Sequence, residues 1–282
     1  MCLQLMHLTL RNCVICPPPA FKGFDMLHSL ELCDVTISST LLESLISYSP
    51  LLEKFVVKIS DNLDHIQIKA PNLRSFDFTG CIKYISLSNV PILSKLSLFN
   101  AGSFKESEKC DFDKFFQSVP ALEHLYLEYA SNKFLVTGAA EVPKRLSSPL
   151  NYLKRFHIML GGGLVDVSCA LCLIRSSQYL QDIEMEAYNL LDELVATNEV
   201  DEVFARFSDV TLNHLRTVKL EGVHKTELEL QLIKLLLTKS PMLVRMLIDP
   251  SSNDDYDENR DTILAELTKF QRASHKAEVV CT

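Results

Sequence analysis

One spacing recurs along the whole chain: a leucine, two residues, an apolar residue, one residue, a second apolar residue. It stands at Leu5/Leu8/Leu10, Leu27/Leu30/Leu32, Leu52/Phe55/Val57, Leu73/Phe76/Phe78 and Leu93/Leu96/Leu98. It continues at Leu122/Leu125/Leu127, Leu153/Phe156/Ile158, Leu180/Ile183/Met185, Leu215/Val218/Leu220 and Leu243/Met246/Ile248. The last two apolar positions of each copy flank a single residue, so they share one face of a short extended segment. The leading leucine must reach the same side from the preceding loop. One copy leaves this face in water, whereas copies stacked side by side bury it against each other.

The leading leucines lie 20 residues apart at the closest, Leu73 to Leu93, and 35 at the widest, Leu180 to Leu215. Most intervals fall in or near the period of about 20–29 residues of leucine-rich repeats. The expected fold is therefore α/β: a leucine-rich-repeat solenoid with a curved parallel sheet on its concave side and a convex side of mixed helical and irregular segments. Three residues past the last apolar position such repeats favour Asn or Cys. Here Cys13 and Cys81 occupy it in two copies, but Val35, Ala101, Ala130 and Val223 in others, so that ladder is degenerate. Pro50, Pro71, Pro91, Pro120 and Pro241 each stand two residues before a leading leucine. Proline has no N–H and disfavours helix in the residue before it, so it ends the convex segment and launches the strand. Two weaker copies, Leu63/Ile66/Ile68 and Ile82/Ile85/Leu87, fall between full ones and are expected as short convex strands.

Elsewhere the convex side reads as helical. Thr40-x-x-Glu43 has the form of a capping box before Leu41–Tyr48, and Thr226-x-x-Glu229 before Leu228–Lys239. Asp111–Ser118 and Val167–Ser176 are expected as shorter helices, and Lys133–Ser148 and Asn189–Thr211 as irregular insertions. A final helix is expected over Asp261–Arg272, covering the core under Leu243, Met246 and Ile248, followed by a strand at Ala277–Val280.

Composition narrows the function. With 28 Lys and Arg against 36 Asp and Glu, the net charge is −8. An acidic chain without a Lys/Arg cluster in its sequence is a poor match for a phosphate backbone, which argues against nucleic acid as a partner. No apolar run is long enough to span a bilayer, so no membrane is expected either. The N-terminus lacks the pattern of a signal peptide, and nine scattered cysteines form no disulfide framework, which together point to a cytoplasmic or nuclear setting. Cys13-x-x-Cys16 and Cys169-x-x-Cys172 offer cysteine pairs, but the second lies in an apolar helical stretch where cysteine serves as a small apolar residue. Asp255, Asp257, Asn259, Asp261 and Glu266 imitate a calcium loop, yet Arg260 replaces the glycine that its sharp turn needs. Gly161-Gly162-Gly163 lacks the Lys-Ser/Thr of a phosphate loop. His7, His124 and His157 sit in strands without an adjacent nucleophile or carboxylate motif. No metal, cofactor or enzymatic activity is expected.

The segment HLRTVKLEGVHKTELELQLIKLLLTKSPML, from His214 to Leu243, resembles the FBD module of plant F-box/FBD/LRR-repeat proteins, as does ILAELTKFQRASHKAEVV from Ile263 to Val280. The upstream repeats are similar to that family's architecture. The resemblance divides the chain into leucine-rich repeats over 1–210 and an FBD-like module over 211–282 that continues and caps the solenoid. It implies substrate recognition for an SCF-type ubiquitin ligase, in which an F-box binds a Skp1-type adaptor and the repeats hold the protein to be ubiquitinated. No Leu-Pro-rich helical segment precedes Leu5 and the sequence has no tryptophan, so no F-box is read here. Adaptor binding would need an F-box upstream; the alternative is a stand-alone repeat scaffold or decoy that recruits no ligase. In either case the partner is a protein, held on the concave face or loops. The strand positions that alternate with the buried ones should meet it: Glu31, Lys54, Asp77, Lys95, Tyr126, His157, Glu184 and Lys219, with Phe99 as a second aromatic anchor.

Overall fold

The computed structural model describes residues 4–16, 23–100, 111–128, 142–161, 163–187, 197–224, 226–250 and 256–281. They form two compact units, Met1–Thr137 and Gly138–Thr282. The repeat signature gives one parallel strand per copy in both. The first unit contains β1 (His7–Arg11), β2 (Ser29–Cys33), β3 (Lys54–Lys69), β4 (Ser75–Ser88), β5 (Lys95–Asn100) and β6 (His124–Glu128). The second contains β7 (Arg155–Leu160), β8 (Asp182–Ala187), β9 (Thr217–Val223), β10 (Arg245–Pro250) and β11 (Glu278–Cys281). Within each unit, consecutive strands pair in parallel and in register, so the apolar positions of one copy abut those of the next. The fold class is that of an α/β leucine-rich-repeat solenoid.

One turn geometry recurs at the start of β2 to β10. The amide of the leading leucine closes a turn onto the carbonyl three residues before it: Leu52 to Ser49, Leu73 to Ala70, Leu93 to Val90, Leu122 to Val119 and Leu243 to Ser240. Pro50, Pro71, Pro91, Pro120 and Pro241 occupy the second position of these turns, where a fixed φ is favourable and the absent N–H is not required. Beyond the leucine, two successive amides donate to one carbonyl of the preceding copy. Gln181 and Asp182 share Lys154 O, Arg216 and Thr217 share Gln181 O, and Val244 and Arg245 share Arg216 O. Local chemistry thus sets the turn, and a backbone bond between copies sets the spacing.

The core lies behind the strands. Leu52, Phe55, Val57, Leu73, Phe76, Phe78, Leu96, Leu125 and Leu127 are buried in the first unit; Leu153, Phe156, Ile158, Leu215, Val218 and Met246 are buried in the second. Phe55 and Phe76 stack with ring centroids 5.5 Å apart, the cross-strand pairing that aromatic residues favour on neighbouring strands. Leu5, Leu8 and Leu10 are only half-buried. The weaker copies form the convex ends of β3 and β4, where Leu63, Ile66 and Ile68 pair with Ile82, Ile85 and Leu87 after a register shift.

In several copies the chain bends tightly at the second residue past the last apolar one. Asn12 and Asp34 adopt φ 50° there and Gly222 adopts φ 69°, a left-handed conformation open chiefly to Asn, Asp and Gly. At Gly222 a Cβ would stand 2.5 Å from the carbonyl oxygen of Ala187.

The helices are α1 (Ser39–Ser47), α2 (Phe112–Gln117), α3 (Leu164–Ser176), α4 (Thr197–Ala205), α5 (Glu227–Lys239) and α6 (Tyr256–Lys269). The capping box at α5 forms as expected: Thr226 Oγ1 accepts from Glu229 N, and the Glu229 carboxylate accepts from Thr226 N. At α1 the reading is corrected. Ser38, not Thr40, is the N-cap, and Glu43 turns away to accept the amide of Gln67 on the convex strand. Two further corrections concern the second unit. The stretch expected as an irregular insertion contains α4, whose Val200, Val203 and Phe204 face the core. The last helix starts at Tyr256 rather than Asp261. It packs on β10 and buries Ile263 and Leu267, and β11 follows it. Ala101, Ala130, Gly162 and Asp255, and the side chains of Asp257, Asn259, Arg260 and Asp261, lie outside the described residues.

Two substitutions test this packing. Leu125→Asp buries an unpaired charge and should cost at least about 3 kcal/mol, seen as a collapse of the melting temperature. Gly222→Ala forces both a left-handed φ and a clash with Ala187, and should lower stability by about 1–3 kcal/mol in chemical denaturation.

The outward strand face as candidate interaction site

Strands β1 to β10 each present three outward positions and β11 two, and pairing aligns them in rows. In the first unit the leading row runs His7, Ser29, Lys54, Ser75, Lys95, His124. The middle row runs Thr9, Glu31, Val56, Asp77, Ser97, Tyr126, and the trailing row Arg11, Cys33, Lys58, Thr79, Phe99, Glu128. In the second unit the rows are Arg155, Asp182, Thr217, Arg245, Glu278; His157, Glu184, Lys219, Leu247, Val280; and Met159, Glu186, Glu221, Asp249.

The residues nominated from the sequence all stand on these outward rows, but they do not form one line. In the first unit Glu31, Asp77 and Tyr126 share the middle row, Lys54 and Lys95 the leading row, and Phe99 the trailing row. In the second, His157, Glu184 and Lys219 are consecutive members of the middle row. One residue per strand is too sparse a reading, because it misses the partners from the flanking rows.

Those partners decide the electrostatics. In the first unit Arg11 Nη2 lies 3.0 Å from Glu31 Oε1, and the same oxygen accepts from Cys33 Sγ at 3.4 Å. Burial, the main cause, and the hydrogen bond to Glu31 raise the Cys33 pKa, which keeps the thiol protonated and poorly suited to nucleophilic chemistry. Lys95 Nζ stands 5.6 Å from the centroid of the Tyr126 ring, within cation–π range. Val56 is nearly covered although it points outward, with Glu31 and Asp77 as register neighbours.

In the second unit the charges interlock. Lys219 Nζ lies 2.9 Å from Glu184 Oε1 and 2.7 Å from Glu221 Oε1, and His157 Nδ1 lies 3.5 Å from Glu184 Oε2. Arg155 pairs with Asp182, which also accepts a hydrogen bond from Thr217. The Lys219 hydrogen bond holds the Glu184 pKa below the usual carboxylate range, and the bonds to Glu221 and Glu184 raise that of Lys219. Cys169 and Cys172 are buried in α3, as apolar packing demands, while Cys16 is exposed. Among the described residues no group of three or more His, Cys, Asp or Glu is arranged to hold a metal ion, and no helix is long and apolar enough to cross a membrane.

A stacked parallel sheet with variable polar side chains on its outward face defines a leucine-rich-repeat protein of the interaction type. Residues 1–144 match the family described as the leucine-rich repeats of the FBD-associated F-box protein At5g56370. Over 287 aligned residues the chain is 31% identical to the F-box/FBD/LRR-repeat protein At1g13570 of Arabidopsis thaliana, covering 99% of this chain and 68% of that protein. The chain belongs to the F-box/FBD/LRR-repeat family.

The Glu184–Lys219 contact predicts a pH response. Because its folded pKa is depressed, Glu184 contributes stability above the ordinary carboxylate range and loses it as pH falls through the lowered pKa. Both side chains are about 40% exposed, so the contribution is at most about 1 kcal/mol. In Lys219→Met the Glu184 carboxyl should titrate at higher pH in a carbon-detected NMR titration. The stability gap from wild type should be widest near neutrality and shrink below pH ~4.

Proposed function

We propose that this chain is the substrate-recognition part of an SCF-type ubiquitin ligase and acts by binding a protein, without catalysing a reaction itself. The observation that supports this most is the relationship to an F-box/FBD/LRR-repeat protein along 99% of the chain. In this reading residues 1–210 are the recognition repeats, and 211–282 are an FBD-like module that continues the array and closes it with α6 and β11. The work is done in the cytoplasm or nucleus. No cofactor takes part.

The partner is held on the outward strand rows. Tyr126 and Phe99 supply aromatic area, Lys54, Lys95, Glu31 and Asp77 supply charge, and the His157–Glu184–Lys219 ladder presents charges already oriented by their neighbours. Preordered side chains lose little entropy on docking, which favours specificity over raw affinity. Recruitment of a Skp1-type adaptor belongs to an F-box, which this reading places outside residues 1–282.

Two measurements test the proposal. Residues 1–282 alone should show no saturable binding to a purified Skp1-type adaptor at micromolar concentration, whereas a fusion with an F-box at its N-terminus should bind. Proteins that accumulate with that fusion when cullin activity is blocked should be lost with Tyr126→Ala or Lys95→Glu, each weakening capture by about tenfold or more. A fusion that assembles with adaptor and cullin but retains no protein through these rows would overturn it.

A further inference from the structure

The residue before each leading leucine lies at the rim of the sheet, outside the strand. In the second unit these residues are Tyr152, Tyr179, His214 and Met242, one per copy. Tyr152 is 60% exposed, Tyr179 46% and Met242 54%. That they form one stripe is shown by their contacts: the Tyr179 and His214 rings lie 5.1 Å apart, and one position earlier Gln178 Nε2 donates to Asn151 Oδ1 at 3.0 Å. The equivalent positions in the first unit, Met26, Leu51, Asn72, Ile92 and Ala121, carry no aromatic ring. Exposed tyrosines and a methionine in line exceed the scattered apolar exposure normal for a surface.

A second feature runs beside it. On the strand side of the leading leucines lie Lys154, Arg155, Arg216, Val244 and Arg245, all exposed. Arg155 is paired with Asp182, but Arg216 and Arg245 have no side-chain partner among the described residues. On the other side of the stripe opens a cavity of about 350 Å³ whose lining includes Arg145, Arg175, Gln178, Asp209 and Asn213. Asp209 pairs with Arg175 at 2.7 Å, and Arg145 has no side-chain partner among the described residues. The stripe is thus flanked on both sides by arginines, in a chain whose net charge is −8.

We infer that this rim is a second interaction surface, which borders the leading outward row and meets it at Arg155 and Arg245, and that it receives an extended segment of a partner protein in which acidic residues alternate with large apolar ones. Alternation is what the geometry asks for: in an extended segment successive side chains point to opposite faces. One set can lie on Tyr152, Tyr179, His214 and Met242 while the other reaches Arg216 and Arg245 or Arg145. Tyr152 to Met242 covers three copy-to-copy steps, about 14 Å, the reach of an extended segment of about four or five residues. Arginine forks suit carboxylates, and tyrosine provides rigid contact area at small entropic cost.

The test uses residues 1–282 and a displayed library of random peptides of about twelve residues. The recovered peptides should be enriched in Asp and Glu interleaved with Leu, Phe, Tyr or Met. Their affinity should fall at least about tenfold in two separate variants, Tyr179→Ser/Met242→Ser and Arg145→Glu/Arg216→Glu. It should be unchanged by Tyr126→Ala on the strand rows, so failure here is distinguishable from failure of the proposed function. All four rim side chains are exposed, so both variants should melt like the wild type. Recovery of no enriched sequence, of basic peptides, or of peptides bound equally by both variants overturns the inference. So does tighter binding of a single-stranded oligonucleotide at the same arginines.

Discussion

The structure depends on a repeated backbone contact that also fixes where the apolar side chains fall. In successive copies within each unit, two amides just past the leading leucine share one carbonyl of the copy before. That contact sets the register of the strand that follows, and register decides which side chains are buried. A one-residue slip would turn Phe55 and Val57 outward and bring Lys54 and Val56 into the core. The turn that feeds the contact needs no long-range help, because a proline or similar residue at its second position preorganises it. Hydrophobic burial drives the stacking, but the turn and the shared carbonyl keep each copy at the same depth.

A consequence is that the outward rows are free to vary. No core requirement touches them, and the two units use this freedom differently. The first unit carries a mixed surface, with Arg11 tied to Glu31, Lys95 over Tyr126 and Val56 tucked between acidic neighbours. The second carries a charge lattice in which Lys219 serves two carboxylates and Glu184 serves Lys219 and His157. Exposed pairs of this kind add little to stability. Their value lies in holding charged groups in fixed positions.

The convex side shows where local signals compete. At α5, Thr226 and Glu229 follow the capping pattern, and the Glu229 carboxylate also accepts the amide of His224 just past β9. At α1 the same pattern is present in Thr40 and Glu43, but the exposed edge of the convex part of β3 offers an unpaired amide at Gln67, and Glu43 satisfies it. Ser38 already caps the helix by accepting from Leu41 N, which leaves the Glu43 carboxylate for the strand edge. The packing of α4 is a similar case. Its amphipathic spacing is short, and only the wall of core residues beneath it makes Val200, Val203 and Phe204 worth burying.

The sequence by itself determined the repeat, the parallel strands, the convex pair in β3 and β4, the core leucines and the family. These features rest on periodicity and turn chemistry, which act over a few residues and repeat often enough to be read. The left-handed bends at Asn12, Asp34 and Gly222 also have a local basis, because these residue types tolerate a positive φ at equivalent positions. The tertiary structure alone decided which polar residues meet. Glu184 and Lys219 are separated by a whole copy, as are Tyr179 and His214, and no local pattern links them. Nor does the sequence contain a cluster of Lys and Arg, yet stacking sets Arg216 and Arg245 on adjacent copies, with Lys154 two copies before Arg216. Stacking converts a separation of one repeat into a distance of about 5 Å, and only a folded chain carries out that conversion.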